Sequence, residues 1–197
     1  MKDDIGVSLV ICCFNSAKRI STTLKFIAAQ QVPNYINWEI ILVNNACTDN
    51  TVEVASIVWN SLKSSYCFRI IEEMQPGLSF ARKTAIEEAK FEYILFCDDD
   101  NWLHPEYVHN VHTIMSSDSS IAVLGGCGIF EPEKPSWKHS AFFKKHYVNG
   151  EQHWAESEHW VYGASATIRK TIIQDLYKKG WTQITTGRMK NKLSAGE

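Results

Sequence analysis

Residues 7–30 read VSLVICCFNSAKRISTTLKFIAAQ, and their pattern decides the fold class. Val7 to Cys13 is a nearly continuous apolar run, which suits a strand covered on both faces. Asn15-Ser16 then offers capping side chains for a helix from about Ala17 to Gln30, with Ile20, Leu24 and Ile27 spaced along one face. The unit recurs downstream. Trp38 to Val43 (WEIILV) is a second strand, and Thr48-Asp49 opens a second helix that buries Val52, Val54, Ala55, Val58 and Leu62. Cys67 to Ile71 is a third strand; Pro76-Gly77 breaks it, and Ser79 starts a third helix reaching Lys90. Tyr93 to Cys97 (YILFC) is a fourth strand, and it runs straight into three acids. Strands alternating with helices at this spacing predict an α/β domain with a mainly parallel central sheet flanked by helices. In such sheets ligands bind beyond the carboxyl ends of the strands. That rule gathers Phe14-Asn15, Asn44-Asn45, Glu73 to Gly77 and Asp98 to Asn101 along one edge.

After residue 104 the alternation loosens. Pro105 suits a first helical position ahead of Val108, Val111 and Ile114. Ile121 to Phe130 reads as a strand with a weak point at Gly125-Gly126. Glu131 to Trp160 is loop-rich and aromatic, holding Trp137, Trp154 and Trp160 among others. Val161 to Ile168 is a further strand, followed by a helix around Thr171 to Lys179. Residues 180–197 carry little apolar periodicity.

The whole chain is 197 residues long, with 45% apolar and 21% charged residues, enough for one domain with a sizeable core. Twenty Lys and Arg against 22 Asp and Glu leave a formal charge of −2, so there is no basic footprint for nucleic acid. No apolar run approaches the roughly 20 residues of a membrane span, and the acidic start Met1-Lys2-Asp3-Asp4 does not read as a secretory signal. The six cysteines contain no C-x-x-C pair, which argues against a zinc ribbon. Cys12, Cys13, Cys67 and Cys97 lie in apolar strand-like runs and read as reduced, small hydrophobes of a reducing compartment.

Asp98-Asp99-Asp100 is the sharpest chemical feature. A like-charge pair at ~4 Å costs about 1 kcal/mol in water and about 4 at an effective dielectric of 20. In an extended segment Asp98 and Asp100 would face one side together. A hard divalent cation, Mn²⁺ or Mg²⁺, would remove the repulsion; a solvated turn with a helix cap is the plainer alternative. Asn44, at the end of the second strand, has an amide able to pair with a nucleobase edge, whereas Thr48 and Asp49 read as helix caps. Arg82, just inside the third helix, is either a bidentate phosphate ligand or an exposed helix-face residue. His104, His109 and His112 read as a helix surface face. There is no Walker A motif, G-x-G-x-x-G or G-x-S-x-G elbow.

Taken in order, VSLVICCFNSAKRISTTLKFI, WEIILVNNACTDNT and PGLSFARKTAIEEAKFEYILFCDDDNWLHPEYV resemble the inverting family 2 glycosyltransferases of the GT-A fold. The match is clear over residues 7 to about 108 and continues weakly through Tyr162-Gly163-Ala164 and the tail TTGRMKNKLSAGE. The resemblance implies one Rossmann-like GT-A catalytic domain over 1–197, with a nucleotide-sugar-binding part at 1–104 and an acceptor-side part at 105–197. It implies a nucleotide-sugar donor, usually a UDP-sugar, and a saccharide or lipid-linked acceptor in polysaccharide or glycoconjugate synthesis. By position, Phe14, Asn15, Asn44, Arg82, Asp98 and Asp99 would meet the donor. Asp100, with Asp98, would hold Mn²⁺ or Mg²⁺, and Gly163, Ala164 and Trp154 would lie on the acceptor side. The aromatic stretch from Trp137 to Trp160 is equally readable as local core.

The chain departs from the family pattern in three places. Many relatives carry Asp where this chain has Asn44. Gly187-Arg188-Met189-Lys190 lacks the family's second Gly. The family commonly continues G-E-D, with that Asp as catalytic base, and this chain ends at Gly196-Glu197. Glu197, as a terminal residue, is a poor candidate base; a cut C-terminus is expected, with weak or absent transfer and donor binding retained. The resemblance places the protein in the cytoplasm, with peripheral association at the inner face of the membrane. A non-catalytic nucleotide-sugar-binding or partner-docking module is the alternative reading. A sugar nucleotidyltransferase would want a Gly-rich basic loop where Phe14-Asn15-Ser16 stands.

Overall fold

A run of residues apolar on both sides of a strand can be buried only between two layers, and that is where Val7 to Cys13 lies. The computed structural model describes residues 4–129, 161 and 163–181. In chain order the elements are β1 (Asp4–Cys13), α1 (Ile20–Ala28), β2 (Asn37–Asn45), α2 (Thr51–Leu62), β3 (Phe68–Glu73), α3 (Leu78–Glu88), β4 (Phe91–Cys97), α4 (Tyr107–Ser117), β5 (Val123–Leu124), β6 (Thr167–Arg169) and α5 (Lys170–Lys178). They form a six-stranded sheet of order β3-β2-β1-β4-β6-β5. β1 runs parallel to β2 and β4, and β2 runs parallel to β3, while β6 is antiparallel to both β4 and β5.

Side-chain alternation along β1 divides the core. Val7, Leu9, Ile11 and Cys13 face one layer, packing with Ile20, Leu24 and Ile27 of α1, Ala55 and Trp59 of α2, and Val108, Val111 and Met115 of α4. Val10 faces the other layer, with Ala81, Ala85 and Ile86 of α3 and, more peripherally, Ile173 and Tyr177 of α5. Moving any of the large β1 residues to water would forfeit roughly 1.5–3 kcal/mol each, so the register of the central strand is strongly fixed. The most deeply buried carboxylate among the described residues lies within this core. Glu39 on β2 accepts hydrogen bonds from Ser8 Oγ (2.9 Å), Arg69 Nε (2.9 Å) and the Lys90 backbone N–H (2.8 Å).

The strand order matters for function. The chain moves outward from β1 through β2 to β3, then returns to place β4 on the other side of β1. Between the carboxyl ends of β1 and β4 the connections diverge, and a crevice opens there.

Several elements differ in extent from the sequence reading. α1 begins at Ile20, not Ala17, because Ser16 does not cap it: its carbonyl accepts a turn from Arg19 and Ile20, and its hydroxyl is drawn to Asp99. α2 begins at Thr51, with Asp49 Oδ1 accepting the Thr51 N–H at 3.1 Å. On α4 the buried stripe is Val108, Val111 and Met115, leaving Ile114 exposed. Cys67 is exposed and precedes β3, while Tyr66 and Phe68 on either side do the packing. The strand expected over 121–130 shrinks to Val123–Leu124, and the one expected over 161–168 to Thr167–Arg169, following Ser165 in a left-handed conformation (φ 64°). The aromatic stretch 131–160, Tyr162 and the tail from 182 onward, including Trp154 and Glu197, lie outside the described residues. Among the described residues no helix is long and apolar enough to cross a membrane.

Candidate functional site

At the switch point lies a cleft of about 200 Å³. Cys12, Cys13 and Phe14 bring the end of β1 to it, Asn45 the end of β2, Gly77 and Leu78 the start of α3, and Asp99 the turn after β4. These are the strand ends that the sequence pattern gathers, and Phe14 is 40% exposed at the mouth.

The three acids do not lie in an extended segment. Asp98 to Asn101 is a turn, with the Asn101 N–H donating to the Asp98 carbonyl at 3.2 Å, so the alternation expected of them does not hold. They also differ from one another. Asp99 is buried and accepts from Arg19 Nη2 (2.6 Å), Arg19 Nε (3.2 Å) and the Ser16 hydroxyl, while its carbonyl accepts from Thr23 Oγ1 (2.9 Å). This carboxylate fastens the acid turn to α1, and its hydrogen bond pushes the Arg19 guanidinium above its ordinary value. Asp100 is exposed and Asp98 half-buried. The segment that follows is anchored as firmly. Trp102 stacks on Phe26 of α1 with centroids 5.3 Å apart. The buried Gln30 amide donates to the His104 carbonyl (2.8 Å) and accepts from the Val108 N–H (3.1 Å).

Asparagines organise the opposite wall. Asn15, in a left-handed conformation (φ 54°), accepts at Oδ1 from the N–H groups of Thr48 (2.8 Å) and Asp49 (3.3 Å). Its own N–H meets Cys47 Sγ at 3.2 Å. Asn44 donates to Glu72 Oε2 at 2.7 Å and accepts from the Cys47 N–H at 3.3 Å, which fixes the orientation of its amide at the sheet edge. Asn45 points to the α3 side. It donates to the carbonyls of Glu73 (3.2 Å) and Gln75 (2.7 Å) and accepts from the Gly77 N–H (2.8 Å). Gly77, at φ 143°, takes a conformation that side chains rarely adopt, and α3 starts immediately after it.

Arg82 is neither fully exposed nor internally satisfied. Its guanidinium lies 5.2 Å from the centroid of the Phe96 ring, and its Nε is buried with no hydrogen-bond partner among the described residues. Gly163 lies beside it, close enough that an added Cβ would meet Arg82 Nη2 at 3.1 Å. Residues 82 and 163, far apart in sequence, thus meet next to Ala164, which is buried. Cys12 lies within electrostatic reach of Arg82 and also of Asp98 and Asp99. Burial pushes the Cys12 thiol up to about 12, Arg82 partly offsetting this. The Cys13 and Cys97 thiols are raised as well, by burial first and then by the neighbouring aspartates. All three are protonated near neutrality and are not nucleophiles.

Sequence reading placed Asn45 at the ligand edge but missed its hold on Gly77, and it missed Ser16, Arg19 and Thr23 around Asp99 and Glu72 beside Asn44. Strand alternation was the signal available for Asn45, since Ile41 and Val43 put it on the α3 face. Nothing in the sequence marks Asp99 as the buried, tethered member of the three.

Residues 8–177 match the family described as glycosyl transferase family 2. The chain belongs to that family. A putative glycosyltransferase of Bacillus subtilis, EpsH, is 28% identical over 126 residues, covering 64% of this chain and 35% of that protein. Among solved structures, the mannosyltransferase PcManGT of Pyrobaculum calidifontis, in complex with GDP-Man and Mn²⁺, superposes with a TM-score of 0.63 at 21% identity, over 86% of this chain and 46% of that one. Staphylococcus aureus TarS, residues 1–349 in complex with UDP-GlcNAc, does so with a TM-score of 0.62 at 18% identity, over 87% and 47%. The fold is accordingly of the GT-A type. The chain spans about a third of EpsH's length and about half that of the two solved structures.

Proposed function

We propose that this family 2 member binds a nucleotide-sugar donor across the strand-end cleft and transfers its sugar, with inversion, to an acceptor hydroxyl in cell-surface polysaccharide or glycoconjugate synthesis. One observation carries the reading. At the crevice between β1 and β4, carboxylates after β4 and a guanidinium on α3, its Nε buried without a partner among the described residues, both lie near enough to Cys12 to act on its charge. A diphosphate bridged to a divalent cation has the charge to answer both sides. The GDP-Man and UDP-GlcNAc complexes of the structural neighbours support it.

In this reading Phe14 packs on the base, and Asn44, its amide oriented by Glu72 and the Cys47 N–H, meets the base edge. Arg82 offers N–H groups to the diphosphate as charge develops on it. Asp99 holds the acid turn in place, so that Asp98 and Asp100 are the side chains to hold Mn²⁺ or Mg²⁺. Their hard oxygens fit such an ion. Among the described residues no set of three or more His, Cys, Asp or Glu could hold a metal unaided, and an Mg²⁺-type ion completes its shell with water and substrate phosphates. When bound, the ion supplies Lewis-acid neutralisation of the leaving diphosphate. A carboxylate from the acceptor side, 105–197 or beyond, takes the acceptor's proton. Gly163, Ala164 and Trp154 belong to that side, as does a saccharide or lipid-linked acceptor, with the work done at the cytoplasmic face of the membrane.

Calorimetric titration of UDP-GlcNAc and GDP-mannose, with Mn²⁺ and with a chelator, tests the proposal. Metal-dependent binding of one donor that Asp100→Asn abolishes is the expected result; binding that ignores both the chelator and Asp100→Asn would contradict it.

A further inference from the structure

We propose that Gly163 is a positioning residue for the donor diphosphate: together with Phe96 it clamps the Arg82 guanidinium, and its lack of a side chain sets where that charge sits. The inference deepens the donor-site reading and rests on it. Three observations meet at this point. The Phe96 ring, buried on β4 two residues before Asp98, lies 5.2 Å from the guanidinium carbon, within the ~6 Å range of cation–π attraction. On Gly163 a Cβ would come within 3.1 Å of Arg82 Nη2. Arg82 Nε is buried without a partner among the described residues, a state that costs free energy unless a ligand answers it.

The chain is anchored on the C-terminal side of Gly163. The Ala166 N–H turns back to the Gly163 carbonyl at 3.4 Å, and the Ala166 carbonyl accepts from the Phe96 N–H at 2.8 Å. Tyr107 of α4 donates its hydroxyl to the Ser165 carbonyl at 3.1 Å. Ser165 keeps a left-handed φ of 64° under these restraints, the kind of local strain that persists only where surroundings over-determine it. Residues 164–166 are tied to β4 and α4, whereas the tip of an arginine is free to shift. A methyl group at 163 would therefore shift the guanidinium by a few tenths of an ångström and leave the fold alone. Charge-assisted hydrogen bonds are short and directional, so such a shift weakens contact with phosphate oxygens selectively.

The test is the preference for nucleoside diphosphate over monophosphate, read by calorimetry on the 197-residue chain with Mn²⁺, using UDP against UMP and GDP against GMP. Wild type should prefer the diphosphate. Gly163→Ala should cut that preference about three- to tenfold and Gly163→Val further, with monophosphate affinity within about twofold of wild type, as expected when one charge-assisted contact is misplaced. In an Arg82→Lys background Gly163→Ala should have no further effect, because its action passes through the guanidinium. Phe96→Leu supplies the same reading from the other face should a residue 163 variant fail to fold. A preserved diphosphate preference in Gly163→Ala and Phe96→Leu overturns the inference while leaving the donor site standing. Wild type that binds neither UDP nor GDP overturns both.

Discussion

Replacing Asp99 by Ala should cost stability, whereas replacing Asp100 should cost binding, although the two are adjacent in one run of acids. The difference follows from their partners. Asp99 accepts from the Ser16 hydroxyl, whose residue is fully buried, and from two N–H groups of Arg19, whose side chain is 48% exposed. The Ser16 hydroxyl, left without its acceptor, costs about 1–3 kcal/mol. Solvent screening of Arg19 reduces that ion pair to ~1 kcal/mol or less. Asp99→Ala should thus lose about 1–4 kcal/mol, which for a chain of this size lowers Tm by roughly 2–16 °C. Asp100→Ala, at an exposed position, should stay within about 0.5 kcal/mol of wild type yet lose metal-dependent nucleotide binding. Scanning calorimetry and nucleotide titration on both variants read this directly. An Asp99→Ala protein that melts like wild type but no longer binds nucleotide would refute the reasoning, since Asp99 would then be the ligand and not the tether.

Further predictions concern the scaffold. Burial alone would push the Glu39 carboxyl up, but Arg69, the Lys90 N–H and Ser8 outweigh it and hold it below its ordinary 4.5. A depressed carboxylate contributes stability above its unfolded pKa and loses it as pH falls through the folded value. Wild type should therefore weaken below about pH 4.5, and urea unfolding at stepped pH should show Glu39→Gln less stable at pH 7 and converging with wild type in acid. Gln30→Leu leaves the Val108 N–H and the His104 carbonyl unpaired and should cost about 2 kcal/mol, visible as faster amide exchange at Val108. Exposed Cys67 and Cys127 should be alkylated rapidly at pH 8, with buried Cys13 and Cys97 modified only on unfolding. Peptide mass mapping decides this; prompt labelling of Cys13 or Cys97 would contradict it.

The sheet was legible because burial on both faces leaves a mark in one dimension: VSLVICC and YILFC need no partner to be read as central strands. The strand-end rule then located the cleft. What stayed hidden depends on contacts across long sequence separations. Ser16 has the composition of a helix cap, but Asp99, 83 residues away, takes its hydroxyl. Ile114 and Met115 are both apolar, and the i, i+3, i+7 spacing of Val108, Val111 and Met115 is what buries Met115. The sequence set Asp98 and Asp100 apart from Asp99 only by alternation, whereas in the turn it is Arg19 and Ser16 that single out Asp99. Arg82 could be written as a phosphate ligand or a surface residue until Phe96 and Gly163 were found around it.

The most direct test of the central claim is paramagnetic broadening of amide resonances by Mn²⁺ in the presence of UDP or GDP. The account predicts nucleotide-dependent broadening centred on Asp98 to Asn101 and reaching Cys12 to Asn15 and Gly77 to Arg82, with the Ser8–Glu39 end of the sheet untouched. Broadening centred elsewhere, or identical with and without nucleotide, would contradict a donor site at the switch point.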